Sequence, residues 1–271
     1  MQPDPDHSWH QANVTFTDPH DAEQLAATRI APTLLEAEHA GLISSWWFIR
    51  KRQWRIRYLA AGDTAADNVF DALRAPGPWS WTSSVYEPET HAFGGPAGTK
   101  IAHALFHADS CHILSGTHDH GDRRELTILL FTAMMRTAGL DWFEQSDVWA
   151  RAVDLRPPTD LPDPAQWGSF TTAMHRLLTV DTGPLRTDGS LEFAADWFTA
   201  FEQAGAALAA LNRDGLLTRG LRAVIAHHTI FAWNRLGLPP QAQAAIAQAS
   251  KEVILGEPTQ NPFSARLALV V

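Results

Sequence analysis

Cysteine is almost absent from this 271-residue chain, whose single thiol, Cys111, cannot form an internal disulfide. One free thiol is typical of a protein that works in a reducing cytoplasm. The N-terminus has no basic segment followed by an apolar one, so the sequence predicts no export signal. The apolar runs, such as residues 126–135, are too short to span a bilayer as a helix. These absences predict a cytoplasmic protein that is not held in a membrane.

The sequence also lacks the short motifs of common cofactor and hydrolase sites. It has no Gly-x-Ser-x-Gly elbow, no Walker or Gly-x-Gly-x-x-Gly loop, and no Cys-x-x-Cys pair. His103 and His107 are four residues apart, with Asp109 and His112 close behind, but no glutamate follows the first histidine as in zinc peptidases. We therefore expect no cofactor and no metal. A generic hydrolase is the weakest interpretation, because no activated nucleophile is visible.

Positive charge is scarce as well. The formal net charge is −9, with 21 lysines and arginines against 30 acids, which argues against a nucleic-acid binder. The hydrophobic content of 45% is that of an ordinary globular protein, and the length suits one large domain or two small ones. A local positive spot on such an acidic chain favours a specific anionic ligand.

Residues 46–57 form that spot, with four arginines alternating among large apolar side chains. A period of two is typical of strands, so we expect Arg50 to share a face with Phe48. The phase restarts in the second half of the segment, where Arg55 and Arg57 share a face. Two neighbouring strands, or one bulged strand, would thus line a sheet surface with guanidinium groups suited to carboxylates. A solvated edge strand whose arginines pair with local acids is the alternative.

The elements expected along the chain run from strands to helices, which favours an α+β fold over alternating βαβ units. We predict a single domain over residues 1–271: an antiparallel or mixed sheet from the N-terminal half packed with helices mostly from the C-terminal half. Residues 1–8 are expected to be a loose arm, and 156–167, with four prolines, a linker or rim loop. Further strands are predicted at 9–16 and 85–93, and helices at 18–41, 64–73, from 100 onward, 126–138, 195–211, 216–236 and 239–253.

Two other segments hold candidate site residues. Residues 86–95 place acids beside the arginine strands and end in a glycine pair, which either admits a ligand close to the backbone or makes a tight turn. Residues 227–236 put two histidines and an Asn-Arg pair in an apolar helical run. Buried polar groups need partners, so this helix is predicted to carry a hydrogen-bonded network that either lines a site or anchors the helix to the sheet.

Taken in order, these segments resemble the stand-alone C-terminal, or elimination, domain of class I lanthipeptide dehydratases, the type described as thiopeptide-type bacteriocin biosynthesis proteins. The likeness covers nearly the whole chain, and ordered motifs are more specific than any single one. The matching motifs are Trp46-Trp47-Phe48-Ile49-Arg50 with Trp54-Arg55-Ile56-Arg57, Tyr86-Glu87-Pro88-Glu89 with Phe93-Gly94-Gly95, Phe106-His107-Ala108-Asp109-Ser110, and Asn234-Arg235-Leu236-Gly237-Leu238.

The resemblance implies a lyase that matures a precursor peptide. In that family a separate protein transfers glutamate from glutamyl-tRNA onto Ser or Thr, and the elimination domain expels it to leave dehydroalanine or dehydrobutyrine. The reaction needs a base for the α-proton and stabilisation of the developing enolate and the departing carboxylate. The implied catalytic residues are His228 (rather than His227), Arg50, Arg57 and Glu89. The implied substrate-binding residues are Arg55, Arg52, Tyr86, Asp109, Ser110, Asn234 and Arg235.

The partners implied by the resemblance are a precursor peptide with its leader and a separate glutamyl-tRNA-dependent glutamylating protein. Direct contact with nucleic acid or membrane is not expected, and a homodimer is left open.

The chain departs from the full-length dehydratases in two places. They carry an arginine three residues after the motif glutamate, where this chain has Ala92, and the spacing from histidine to Asn-Arg is longer here. Both departures leave room for a relative of the same fold, the thiopeptide pyridine synthase, which joins two dehydroalanines in a formal [4+2] cycloaddition with loss of the leader. The arginine strands and the compact chain favour the glutamate-eliminating lyase. A third hypothesis is a non-catalytic partner that binds a precursor peptide, for which the tryptophan-rich first third and a free sheet edge are suited.

Overall fold

A hairpin of the arginine-rich segment forms the centre of the fold. The computed structural model describes residues 8–115, 123–159 and 163–256, so the predicted loose arm lies outside the described residues except for Ser8. Strands β2 (Ile43–Arg50) and β3 (Trp54–Ala60) pair antiparallel, with Arg50 opposite Trp54 and a three-residue tip between them. The prediction of two neighbouring strands is therefore confirmed.

Two more strands complete an antiparallel sheet of order β2-β3-β1-β4. They are β1 (Ser8–Phe16), which pairs with β3, and β4 (Trp79–Val85), which pairs with β1. The predicted strand at 85–93 is wrong, because the paired strand ends at Val85 and Pro88 lies in the irregular segment that follows it. Strand β4 escaped notice because, on this edge strand, residues 82–85 are all exposed and three of them are Ser or Thr.

Helices flank the sheet in the predicted order, together with three, at 142–155, 164–179 and 183–188, that the sequence does not predict individually. The described helical segments are α1 (Ala22–Leu25), a π-helical turn (Ala26–Ile30), α2 (Ala31–His39), α3 (Asp63–Leu73), α4 (Pro96–Leu114), α5 (Arg123–Thr137), α6 (Trp142–Leu155), α7 (Pro164–Thr179), α8 (Gly183–Asp188), a 3-10 turn (Glu192–Ala194), α9 (Ala195–Arg213), α10 (Leu221–Leu236) and α11 (Pro240–Leu255). The predicted rim loop at 156–167 is shorter than expected, since α7 begins at Pro164. The α+β class, with the sheet in the N-terminal half, is confirmed.

The two faces of the sheet differ in character. One face, which we call the core face, carries Phe48, Ile56, Ala12 and Val14, all with no exposed surface, and packs against α2 and α3. The opposite face, the polar face, carries the alternate residues and is only partly covered, by α4 and α10. Alternation along each strand therefore separates a structural side from a side open to a ligand.

Helix α4 closes the β2 edge of the sheet. Its Ser110 hydroxyl lies 3.2 Å from the backbone nitrogen of Phe48, and the Nδ1 atom of His107 lies 3.2 Å from the nitrogen and 2.9 Å from the oxygen of Trp46. These side chains give the outward-facing backbone groups of β2 the partners that another strand would otherwise supply. These contacts fix the position of α4 along the β2 edge of the sheet.

A buried ion pair ties α4 to the C-terminal helices. The Arg235 guanidinium on α10 donates from Nε to Asp109 on α4, and the Trp197 indole on α9 donates to the other Asp109 oxygen over 2.9 Å. Arg235 and Asp109 are each 1% exposed. One carboxylate thus holds three helices together, which orients the α10 histidines relative to the sheet.

Candidate active site

The polar face presents two rows of side chains across all four strands. The strand register aligns Trp47, Arg57, Gln11 and Ser84 in one row. It aligns Ile49, Arg55, Asn13 and Thr82 in the next. The β2 end of each row is apolar and buried under Phe93, Phe106 and Phe231, whereas the β1 and β4 end is hydrophilic. Such a half-covered face suits a peptide-like ligand that has a polar side chain attached to its backbone.

Arg57 is the most deeply placed cation on this face, at 7% exposed. Its guanidinium lies between two aromatic rings, 4.3 Å from the centre of Trp47 and 4.6 Å from that of Tyr86. Burial is the main reason that the pKa of Arg57 falls to about 10. Among the described residues no carboxylate lies within ion-pair distance of it, and only Nε has a hydrogen-bond partner. The two terminal nitrogens are therefore available to an anion.

Gln11 holds that guanidinium in place. Its Oε1 accepts from Arg57 Nε over 2.8 Å, while its amide nitrogen donates to Asn13 over 2.9 Å and to Ser84 over 2.7 Å. These bonds fix which end of the amide faces the arginine and prevent Arg57 from rotating. Sequence reasoning missed Gln11, since only the strand order brings it beside Arg57, 46 residues later.

Tyr86 and His103 form a second polar pair at the edge of the same pocket. The Tyr86 hydroxyl lies 2.8 Å from His103 Nε2, and the Trp9 ring packs at a tilt against the imidazole, with the ring centres 4.4 Å apart. Burial raises the pKa of Tyr86 to about 12 and lowers that of His103 to about 4. Both groups are therefore neutral near pH 7.

The glycine pair of residues 86–95 serves the protein's own packing. Gly94 and Gly95 have φ values of 83° and 95°, in the region that favours glycine. A Cβ atom on Gly94 would lie 2.8 Å from the Leu217 side chain, and one on Gly95 3.0 Å from that of Thr218. The sequence left two explanations for the glycine pair, a close approach of a ligand or a tight turn. The contacts with Leu217 and Thr218 are those of a tight turn within the protein. This turn aims the preceding Glu89 toward α10.

Glu89 meets His227 at the exposed side of α10. The His227 Nε2 atom lies 3.2 Å from Glu89 Oε2, and its ring packs edge-on against Phe93 at 5.1 Å. The hydrogen bond from His227 is the main reason that the pKa of Glu89 lies below its usual value, although burial opposes the shift. The Nδ1 atom of His227 is buried, and no described residue bonds to it.

His228, the acid–base candidate of the sequence analysis, points elsewhere. It is 1% exposed and lies among Phe93, Phe106 and Arg235, with no hydrogen-bond partner within the described ranges for either ring nitrogen. Burial lowers its pKa to about 3, and the charge of Arg235 adds to the effect. It is thus a neutral, enclosed imidazole.

Arg50 lies on the core face, away from Arg57. Its Nη1 donates to Glu23 Oε2 over 2.7 Å, and its guanidinium stacks 4.5 Å from the Trp54 ring. Glu23 also pairs with Arg123. Although burial works against the charged carboxylate, the hydrogen bonds of Arg123 and Arg50 hold the pKa of Glu23 below its usual value. The hairpin tip shifts the phase between the strands, so the structure brings Arg55 and Arg57 together but not Arg50.

The remaining candidates are placed in two groups. Asp109, Ser110 and Arg235 hold α4 and α10 as described above, and Asn234 accepts from Gln243 on α11 over 3.2 Å. Arg52 is exposed at the hairpin tip.

No three histidine, cysteine, aspartate or glutamate side chains in the described part of the chain lie close enough together to hold a metal ion. Helices within the described ranges are too short or too polar to cross a membrane.

Comparison with known proteins gives a family and a fold. The family model described as lantibiotic biosynthesis dehydratase C-term matches residues 9–254. No curated protein sequence matches the chain. Among solved structures, the tRNA-dependent lantibiotic dehydratase MibB from Microbispora sp. 107891 superposes with a TM-score of 0.66 at 16% identity. That match covers 98% of this chain but 29% of the MibB chain, so this chain spans less than a third of that relative.

Two shorter proteins have the same fold over nearly their full length. TbtD, a pyridine synthase from thiomuracin biosynthesis, gives a TM-score of 0.63 at 14% identity, covering 92% of this chain and 98% of TbtD. TsrL gives 0.58 at 15% identity, covering 94% and 99%. At these identities the likeness concerns the fold, and function must be argued from the site.

Proposed function

Because the chain belongs to the lantibiotic biosynthesis dehydratase C-terminal family, we propose that it is a peptide-maturing lyase that expels glutamate from glutamylated Ser or Thr. The substrate is a precursor peptide already glutamylated by a separate glutamyl-tRNA-dependent protein. The products are glutamate and a peptide that contains dehydroalanine or dehydrobutyrine.

The observation that carries this proposal is the unpaired guanidinium of Arg57. A buried cation without a carboxylate is costly unless a ligand supplies one. Gln11 orients the Arg57 guanidinium, which lies between two aromatic rings and has no hydrogen-bond partner at either terminal nitrogen. This geometry suits bidentate binding of a carboxylate, which a glutamyl group offers before the reaction and the leaving group offers after it.

The chemistry then needs one base, and His227 is the group that we assign to it. The imidazole of His227 takes the α-proton of the modified residue, and the electron pair forms the Cα=Cβ bond as the Cβ–O bond breaks. Glutamate leaves with the ester oxygen as a carboxylate, which Arg57 and Arg55 stabilise. Glu89 stabilises the imidazolium that forms. We place the acid–base role on His227 rather than His228 because His228 is enclosed and has no carboxylate partner.

A pyridine synthase is the second candidate function. One observation favours it: Ala92 stands where the dehydratase pattern has arginine. That reaction needs no glutamate pocket, only a cavity that folds the peptide and polarises an amide, for which the neutral Tyr86–His103 pair is suited.

Mass spectrometry of the purified protein with two peptides distinguishes these functions. One peptide carries a glutamyl-Ser ester and the other carries two dehydroalanines, both behind the same precursor leader. Loss of glutamic acid from the first supports the lyase. Ring closure with release of the leader from the second overturns it in favour of the pyridine synthase. Binding of both peptides without any product would leave a non-catalytic partner protein.

A further inference from the structure

A chain of uncharged side chains runs from Arg57 across the polar face to the β4 edge. Arg57 donates from Nε to Gln11 Oε1 over 2.8 Å, and the Gln11 amide donates to Asn13 Oδ1 over 2.9 Å. The Ser84 hydroxyl accepts from both amides, from Gln11 over 2.7 Å and from Asn13 over 3.1 Å. The strand register builds this chain, because it places Gln11 directly between Arg57 and Ser84.

Arg57 fixes the direction of every bond in this chain. A guanidinium has donors only, so Gln11 must present its oxygen to Nε and its nitrogen to the opposite side. Asn13 must then accept from Gln11, which leaves its own nitrogen facing the hydroxyl. Both amides therefore point their oxygens back along the chain toward the cation. This arrangement favours the charged form of the guanidinium without neutralising it.

A carboxylate at position 11 would hold the same guanidinium by a stronger interaction. It would accept from Nε equally well, and its charge would offset the cost of burying Arg57, which is 7% exposed. It would also leave no net charge for a ligand, and it would place a negative group beside an incoming carboxylate. What distinguishes the amide that occupies position 11 is that it orients Arg57 and leaves its charge unmatched.

We propose that Gln11 is the specificity-determining residue of this site, because its uncharged amide orients Arg57 and leaves the whole charge available to the side-chain carboxylate of the glutamyl group. The inference rests on the proposed function, since it takes Arg57 as the group that binds this carboxylate. In this role Gln11 is a positioning residue that acts through Arg57. The consequence is a preference for a glutamyl group over the glutaminyl group, which has nearly the same shape but no charge.

Fluorescence anisotropy with two labelled analogues measures this preference by binding alone. Behind the same precursor leader, both carry 2,3-diaminopropionate in place of the reacting Ser. Its side-chain nitrogen is acylated by the α-carboxyl group of glutamate in one analogue and of glutamine in the other. An amide nitrogen replaces the ester oxygen that would leave, so neither analogue undergoes elimination. We expect the wild-type protein to bind the glutamyl analogue about 30-fold more tightly, because only this analogue supplies the buried cation with a charged partner.

Two variants of Gln11 separate the effect of charge from that of orientation. Gln11→Glu should bring the dissociation constants of the two analogues within about threefold of each other, since the new carboxylate pairs with Arg57 and repels the glutamyl group. Gln11→Met should weaken binding of the glutamyl analogue about fivefold through the lost hydrogen bond, yet keep a preference of at least about fivefold because Arg57 stays charged. Gln166→Glu, at an exposed position of α7, makes the same change in net charge and should behave as the wild type.

Two results with these variants would overturn the proposal. One is a Gln11→Glu variant that prefers the glutamyl analogue as strongly as the wild type does. The other is a Gln11→Met variant that loses the preference as fully as Gln11→Glu, because the amide would then act through its shape rather than its lack of charge. The ratio of the two dissociation constants does not depend on the fraction of folded protein, so the comparison holds even where a variant is destabilised.

Failure of this proposal and failure of the lyase assignment give different results. A wild-type preference that Gln11→Glu retains would remove only the role of Gln11. Equal binding of the two analogues by the wild-type protein would overturn the proposal and also remove Arg57 as a carboxylate site. A preference that depends on Gln11, in a protein that releases no glutamate in the mass-spectrometric experiment, would support the proposal and overturn the lyase assignment.

Discussion

Arg50 and Arg57 lie on adjacent strands and are both largely buried, yet their surroundings are opposite. Arg50 faces the core side, where Glu23 meets its charge. Arg57 faces the polar side, where its partners are an amide and two aromatic rings. Helix α10 repeats the contrast, since His228 is enclosed while its neighbour His227 reaches Glu89. Which side of the element a residue occupies, rather than its type, therefore decides whether it faces the core or the polar face.

The largest expected effect comes from the two histidines. His227→Gln should lower kcat for glutamate elimination about 1000-fold, because loss of a general base costs 10² to 10⁴. His228→Gln should lower kcat per folded molecule much less, as the ring is sealed from the cleft. Single-turnover kinetics with the glutamyl-Ser peptide give both rates. Equal losses in the two variants would contradict the assignment of the base to His227.

Replacement of each of the two arginines by glutamine gives the next largest effect. Arg57→Gln should lower kcat/KM about 100-fold, since it removes a charged partner of the glutamyl carboxylate. Arg50→Gln should leave kcat/KM of the folded protein near the wild-type value. Initial rates corrected for the folded fraction by circular dichroism measure this contrast. Normal turnover by Arg57→Gln would remove the carboxylate pocket from the model.

The effects on stability should have the opposite order: loss of Arg50 should lower the free energy of unfolding more than loss of Arg57. Arg50→Met is expected to lower the free energy of unfolding by about 2 kcal/mol, because it breaks a largely buried ion pair while Glu23 keeps Arg123. Arg57→Met removes an unpaired buried charge and should be neutral or stabilising. Urea denaturation at pH 7 provides both values, and a larger loss for Arg57→Met would reverse the comparison.

Acid should weaken the fold through the enclosed histidines. The folded-state pKa of His228 is about 3, well below the usual value of 6.5, so the unfolded chain binds more protons between these limits. Stability contributed by keeping His228 neutral is present above pH 6.5 and is lost as the pH falls toward 3, by at most about 1.4 kcal/mol per pH unit. His103, with a pKa of about 4, acts in the same direction.

Urea denaturation at pH 7, 6 and 5 measures this slope. His228→Leu should flatten it, whereas His175→Leu, at an exposed position, controls for the loss of one histidine. An unchanged slope in His228→Leu would show that the buried imidazole titrates as it does in water.

The strand periodicity predicted the fold well where one strand was concerned. It assigned Arg50 and Phe48 to one face of β2 and Arg55 and Arg57 to one face of β3, as the structure has them. It could not relate the two faces, because that depends on the three-residue tip. The predicted strand at 85–93 failed because its pattern of apolar residues belongs to a loop whose Phe93 is buried by α4 and α10 rather than by strand pairing.

The long-range partners of the site were beyond sequence reasoning for a different reason. Asp109 and Arg235 are 126 residues apart, and Glu89 and His227 are 138 apart. Each pair depends on how α4 and α10 stack, and no local propensity specifies that. The roles assigned to the site residues remain predictions until the variants are measured.

The closure of the β2 edge by His107 and Ser110 has a consequence for assembly. With α4 in that position, β4 is the edge of the described sheet at which another strand can still pair. A sheet with a single open edge can join one further copy across a two-fold axis, after which no edge remains. Association through backbone pairing would therefore end at a dimer rather than extend into a fibre.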